Sequence, residues 1–258
     1  MTLLRDGDLA TAFDRASGAY DRLVGASPGY HTQLRRSARR LRLPAAGRGQ
    51  RVLDLGCGTG ASTRALLDAA PLAEIVAVDA SPGMLRRAAD KPWPPHVRFV
   101  HAPAERLAPA GITGPFDAVF AAYLVRNLSA PASVLDAVRA LLRPGGRLAV
   151  HDYCLSGARR HRLLWEAVCR AVIIPAGALG PGGADLYHHL RRSVLDFDTV
   201  PELVARLSSA GFEQVGAAPV PGWQHGIVHT VLARRPAKDG DGADGGGDAA
   251  HVAPGNRP

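Results

Sequence analysis

The segment Arg51-Val-Leu-Asp-Leu-Gly-Cys-Gly-Thr-Gly60 constrains this chain more than any other. A short apolar strand (Val52, Leu53, Leu55), carrying Asp54, runs into three alternating glycines, Gly56, Gly58 and Gly60. Ala61-Ser-Thr-Arg-Ala-Leu-Leu67 then reads as the opening of a helix. Glycine has no Cβ, so the backbone can turn tightly there and let a ligand come close. The start of the helix offers unpaired N–H groups to whatever sits above the loop. Strand, glycine loop and helix together predict a nucleotide-like ligand over the first strand of a Rossmann-like sheet. The spacing is G-x-G-x-G, not the G-x-G-x-x-G of dinucleotide enzymes. Asp54, Gly56, Gly58, Thr59 and Gly60 are the first candidate cofactor-binding residues.

About twenty residues on, Glu74-Ile-Val-Ala-Val-Asp79 reads as a second buried strand ending in a carboxylate. An acid at the tip of the second strand of such a unit accepts hydrogen bonds from ribose hydroxyls. The blander account is a surface aspartate closing an ordinary strand. Ala80-Ser-Pro-Gly-Met84 follows, with Ser81 as N-cap and Pro82 at the first helical position. Asp79, Ala80 and Met84 therefore join the candidate cofactor site.

D-L-G-C-G-T-G followed by V-D-A-S-x-x-M-L resembles the class I methyltransferases that use S-adenosylmethionine (SAM), and within them the quinone C-methyltransferases of menaquinone and ubiquinone biosynthesis. The resemblance runs from about residue 13 to about residue 233. Phe13-Asp-Arg-Ala-x-x-x-Tyr20-Asp21, Leu124-Val-Arg126-Asn127, Leu141-Leu-Arg-Pro-Gly-Gly146, Ile174-Pro175-x-Gly177, Tyr187-x-x-Leu190-x-x-Ser193 and Gly211-Phe212 fall in the family's order. It implies a Rossmann-like α/β fold, a mostly parallel seven-stranded sheet with helices on both faces and a helical lid. It also implies SAM as cofactor and a quinol-like or related phenolic acceptor, with or without a prenyl tail. Two positions depart from the family pattern. Pro103 stands where a polar residue usually faces the adenine, leaving that task to backbone near Ala104 or to Glu105. Ala122 stands where a serine often precedes L-R-N. Tyr20 is expected to close over the amino-acid end of SAM, or to be a core tyrosine at the helix–sheet interface.

A methyl group on a sulfonium is already activated, so transfer needs chiefly alignment and exclusion of water. A carbon nucleophile adds a demand: the ring must become phenolate-like and a ring proton must leave. Arg126, in the loop after the fourth strand, is the first catalytic candidate; the resemblance implies that it orients a water that accepts the proton. A structural salt bridge is its alternative. Asn127 would fix the arginine or bind substrate. Histidine accepts protons near neutrality, which brings in His229 and His189; His151 and Asp152 end the fifth strand. No histidine or cysteine spacing suggests a metal.

One domain over residues 1–235 accounts for the pattern, with cover helices at 9–43, a lid insertion at 156–198 and a Gly/Asp-rich tail at 236–258 that composition predicts to be disordered. A helix over Ser133–Leu142 leads through Gly145-Gly146 to a strand at Arg147–Tyr153. Thr199-Val-Pro-Glu202 opens a late helix with a capping box, and 223–233 reads as the last strand. A hydrophobic fraction of 47% supplies a sizeable core. Cys57, Cys154 and Cys169 show no paired spacing, and no apolar run reaches transmembrane length. These features predict a cytoplasmic protein with reduced thiols.

The net charge is +8; the tail holds Lys238 and Arg257 against four aspartates, a net of −2, so the body carries +10. Much of this sits in Arg35, Arg36, Arg39, Arg40 and Arg42, on a helix whose Leu34, Ala38 and Leu41 form the apolar stripe. Solvation explains such a face most simply; weak peripheral contact with anionic membrane is the sharper reading. Basic and aromatic residues do not interleave, which argues against nucleic acid. A homodimer is compatible with the pattern and not dictated by it. The competing functions are O- or N-methylation of another small molecule, and a SAM-fold protein that binds or cyclises a natural product without methyl transfer.

Overall fold

Short apolar runs buried on both faces make parallel strands, because flanking helices cover the sheet on each side. In the computed structural model these are β1 (Arg51–Leu55), β2 (Glu74–Asp79), β3 (Val97–His101), β4 (Phe116–Ala122) and β5 (Leu142–Tyr153). The structure describes residues 29–178 and 183–237, with Thr11, Ala12, Asp14, Gly18, Asp21 and Gly25. Tyr20 and the tail from 238 lie outside the described residues. Two further strands, β6 (Glu213–Pro219) and β7 (Val228–Arg234), complete a seven-stranded sheet in the order β3-β2-β1-β4-β5-β7-β6. Only the β5–β7 and β6–β7 pairs are antiparallel. The strand order reverses between the parallel strands β1 and β4, which opens a crevice at the carboxyl ends of the strands, where α/β sheets bind ligands.

Helix α1 (Tyr30–Arg39) carries the basic face. Leu34, Ala38 and Leu41 are at most 1% exposed, while Arg35, Arg36 and Arg39 face solvent. Helix α2 (Ala61–Ala69) follows the glycine loop and packs on α1. Helix α3 (Pro82–Ala89) begins as its sequence predicts: the Ser81 hydroxyl accepts from Met84 N at 3.1 Å and Pro82 stands at the first helical position. Helix α4 (Pro131–Leu141) buries Val134, Leu135 and Val138. Leu142 departs from the expected helix and begins β5. Gly145 and Gly146 lie within a register shift of that strand: Phe116 pairs with Leu142, then Ala118 with Arg147.

The insertion after β5 forms α5 (Arg159–Val168), a π-helical turn (Cys169–Ile173), α6 (Ile174–Ala178) and α7 (Gly183–Asp196). Its anchor is Trp165, which is fully buried among Leu155, Val194, Ile227 and Val228. Helix α8 (Val200–Ser209) opens with the Thr199–Glu202 capping box, Thr199 N donating to Glu202 Oε2 at 2.7 Å. The last strand starts at Val228, five residues later than sequence patterning suggests. Among the described residues no helix is long and apolar enough to cross a membrane.

Candidate functional site

A cavity of about 610 Å³ opens at the carboxyl ends of β1, β2 and β4, within the usual range for small-molecule sites. Of the sequence-predicted cofactor residues, Gly56, Gly58, Thr59, Asp79, Ala80, Met84, Pro103, Ala104, Glu105 and Ala122 line it. Asp54 and Gly60 do not. Asn127 is the one member of the catalytic trio on the wall; Arg126 and His229 are absent from the lining.

The glycine loop is held from below. Gly56 N and Cys57 N both donate to Val78 O, at 2.8 and 3.0 Å. Gly58, at φ +54°, lines the cavity, and a Cβ built there meets nothing within 4 Å. Any side chain would enter the space the loop encloses. Gly60 has a different reason to be glycine: its Cβ would stand 2.6 Å from Trp93 Cζ2. Cys57 is buried packing, its thiol pushed well up by burial and by the charges of Asp54 and Asp79.

Asp54 sits fully buried beneath the loop. Its Oδ2 accepts from Ser62 Oγ at 2.8 Å and Thr63 Oγ1 at 2.6 Å, tying β1 to the first turn of α2. Oδ1 is buried without a hydrogen-bond partner among the described residues. Burial pushes this carboxyl up to about 7, against the two hydroxyls and with help from Asp79. The folded protein therefore holds the proton to higher pH than the unfolded chain does. The associated stability is full below about pH 4 and is lost as pH rises through 7. Denaturant midpoints should fall between pH 5 and pH 8, and Asp54→Asn should flatten that fall; an identical slope in the variant would show that another group is responsible.

Asp79 ends β2 with both oxygens engaged. Oδ2 accepts from Gly58 N at 2.7 Å and Oδ1 from Ser81 N at 2.8 Å. Burial raises its carboxyl, while these backbone donors and His101 oppose the rise. Each carboxylate oxygen retains a second lone pair for a ligand donor. Two aspartates of the N-terminal signature reach the same loops. Asp21 Oδ1 accepts from Thr59 Oγ1 at 2.5 Å and Oδ2 pairs with Lys91 at 2.8 Å. Asp14 Oδ1 accepts from Gly83 N and from Ser81 Oγ, capping α3.

Two tyrosines, Tyr30 and Tyr123, also line the cavity. Tyr30 of α1 stacks on Tyr123, centroids 5.4 Å apart and planes 13° apart. Tyr123 is tilted against Tyr153 at 5.4 Å, and Tyr153 against Trp165 at 5.1 Å. Tyr123 holds a left-handed backbone at φ 56°, a conformation costing a bulky residue of order 1–3 kcal/mol. Its N–H donates to His151 O at 2.7 Å, fixing the strained residue to β5. No pattern singled this tyrosine out. Its place directly after the buried run Phe116–Ala122 is the signal that could have done so.

Arg126 lies behind these rings, its Cζ 5.9 Å from the Tyr123 centroid and 5.6 Å from the Tyr153 centroid. Its side chain is 7% exposed, and Nη1 donates to Asp152 Oδ1 at 2.5 Å and to Tyr123 O at 2.9 Å. Asn127 Nδ2 donates to Tyr123 O at 3.1 Å, and its Oδ1 meets His189 Nε2 at 3.3 Å. His189 is pulled down to about 4 by burial and by Arg126. His229 Nδ1 bonds Cys154 O at 2.7 Å, away from the cavity.

The seven-stranded topology, the glycine loop and the acid ending β2 define a class I SAM-dependent methyltransferase. Residues 52–146 match the family model described as a methyltransferase domain. A demethylmenaquinone methyltransferase of Clavibacter sepedonicus is 34% identical over 82% of this chain and 84% of its own length. Another, of Beutenbergia cavernae, is 31% identical over 93% and 95%. The chain belongs to the menaquinone/ubiquinone C-methyltransferase family. Among solved structures, the [4+2]-cyclase SpnF superposes with a TM-score of 0.64 at 18% identity, over 92% of this chain and 98% of that one; at that identity the likeness is one of fold. The protein is a SAM-dependent methyltransferase, and the site fits that cofactor: the space in front of Gly58 admits close approach, and Asp79 supplies acceptors for hydroxyl donors.

Proposed function

We propose that this enzyme methylates a ring carbon of a quinol-like aromatic acceptor. The observation that carries the reading is the stacked pair Tyr30 and Tyr123 on the cavity wall, an aromatic surface against which a planar ring can pack. The names of the relatives support the same acceptor class.

In this reading SAM supplies a methyl group activated as a sulfonium. Asp79 takes the ribose hydroxyls. Gly56 and Gly58 let the amino-acid end approach the backbone. Ala80, Met84, Pro103, Ala104 and Glu105 surround the base, with Pro103 contributing surface and no side-chain hydrogen bond. Thr59, clamped by Asp21, keeps the loop closed beneath the cofactor. Asn127, fixed at both ends by Tyr123 O and His189, faces the acceptor. Arg126 acts from behind as a positioning residue, through Tyr123 and Asp152. Solvent-facing Arg35, Arg36 and Arg39 favour contact with anionic headgroups, from which a prenylated acceptor is drawn.

The test is mass spectrometry of the protein incubated with methyl-labelled SAM and a panel of hydroquinones that includes a prenylated naphthohydroquinone. Label on ring carbon is the expected result. Label on oxygen reassigns the enzyme as an O-methyltransferase, and no label on any member discards the quinol class.

A further inference from the structure

A chain of buried polar groups runs from the aromatic wall into the protein. Tyr123 Oη lies 3.2 Å from His151 Nε2, and His151 Nδ1 lies 3.1 Å from Thr230 Oγ1. Thr230 Oγ1 donates to Ser37 Oγ of α1 at 3.1 Å. His151 is fully buried, Thr230 is 2% exposed and Ser37 1%. When Thr230 gives its one hydroxyl proton to Ser37, it receives the Nδ1–H of His151. A neutral imidazole with its proton on Nδ1 has its lone pair on Nε2, and Nε2 takes the hydroxyl proton of Tyr123. In that arrangement the Tyr123 oxygen, with its own proton directed to His151, is left as an acceptor.

Among the described histidines, His151 backs a cavity-lining tyrosine, its Nε2 meeting that tyrosine's hydroxyl. His189 reaches the wall through Asn127 Oδ1, where its Nε2 must donate. His229 commits Nδ1 to a backbone carbonyl. Resting on the aromatic acceptor proposed above, we infer that Tyr123 is the group that takes the ring proton, with His151 as the positioning partner that receives the tyrosine's own proton.

Once the ring carbon has bonded the methyl group it carries both methyl and hydrogen. The ring C–H bond breaks and its electron pair restores the aromatic ring. The proton goes to Tyr123 Oη as the Tyr123 hydroxyl proton moves to His151 Nε2. Regained aromaticity drives this step, so a weak base suffices. Burial, with Arg40 and His229 adding to it, pulls His151 down to about 3. The imidazolium therefore returns its proton readily along the same path when product leaves.

The experiment compares the wild type with Tyr123→Phe and Thr230→Val. Both are near-isosteric, and Thr230→Val releases the His151 tautomer without touching the cavity wall. The probe is 1,4-naphthohydroquinone, undeuterated and deuterated at the ring carbons beside the oxygens, with SAM affinity measured in parallel. We expect kcat to fall by roughly 10²-fold in Tyr123→Phe and less in Thr230→Val. SAM affinity should be unchanged, and a primary deuterium isotope effect should appear in both variants. A purely structural role would lower kcat without moving the isotope effect. If the wild type methylates the probe and neither variant changes the isotope effect, the inference is overturned while the acceptor class stands. If the wild type gives no product, the acceptor class and this inference fall together.

Discussion

Asp79→Ala should weaken SAM binding by about 10²- to 10⁴-fold in calorimetric titration, the largest single-residue effect on the cofactor. Two hydrogen bonds to a charged acceptor are lost, at about 1.5–3 kcal/mol each. The carboxylate also draws Gly58 N and Ser81 N together at 2.7 and 2.8 Å. Its removal loosens the glycine loop and the start of α3 at once. Asp79→Asn separates these contributions, because the amide oxygen keeps one acceptor while its nitrogen faces a backbone donor. The asparagine variant should fall between wild type and alanine. A change of less than about threefold in Asp79→Ala would place the ribose elsewhere.

Arg126→Ala should lower the thermal midpoint by about 10 °C. The arginine and Asp152 are 7% and 0% exposed at their side chains. Removing one member of a buried pair costs about 3–5 kcal/mol, because the other charge is left uncompensated, and each kcal/mol moves a domain of this size by about 2–4 °C. Burial already raises the Asp152 carboxyl, and Arg126 is the chief opposing influence. Without the arginine its folded-state value lies further above the unfolded one. Stability of the variant should then rise as pH falls from about 7 toward 5, through protonation of Asp152. Pairing Arg126→Met with Asp152→Leu should recover most of the loss. If Arg126→Ala unfolds like the wild type yet loses turnover, Arg126 touches the reacting groups directly and its place behind Tyr123 is not the whole account.

Much of the cofactor site was legible because its signals are local. Strand, G-x-G-x-G loop, helix, second strand and terminal acid follow in thirty residues, and each step has a backbone reason. The Ser81 and Thr199 caps and the Leu34–Ala38–Leu41 stripe belong to the same kind. Strand β6 was not legible: Glu213–Pro219 is an edge strand of small and polar residues, exposed along most of its length, so it carries no alternating pattern. Gly145-Gly146 read as a turn because glycine marks both turns and strand irregularities, and pairing with β4 selected the second.

What the sequence determined by itself was the fold class and the loops that line the cavity, because local backbone preferences and hydrophobic periodicity act within a few residues of one another; SAM as the cofactor came from the resemblance to a known family. The tertiary structure alone decided which polar residues face the cavity. Arg126 and Asp152 are 26 positions apart, and Tyr123, His151, Thr230 and Ser37 span nearly two hundred. Their partnership comes from the cost of leaving a charge or a hydroxyl unpaired once the sheet has closed over it. That cost does not exist until the fold brings them together.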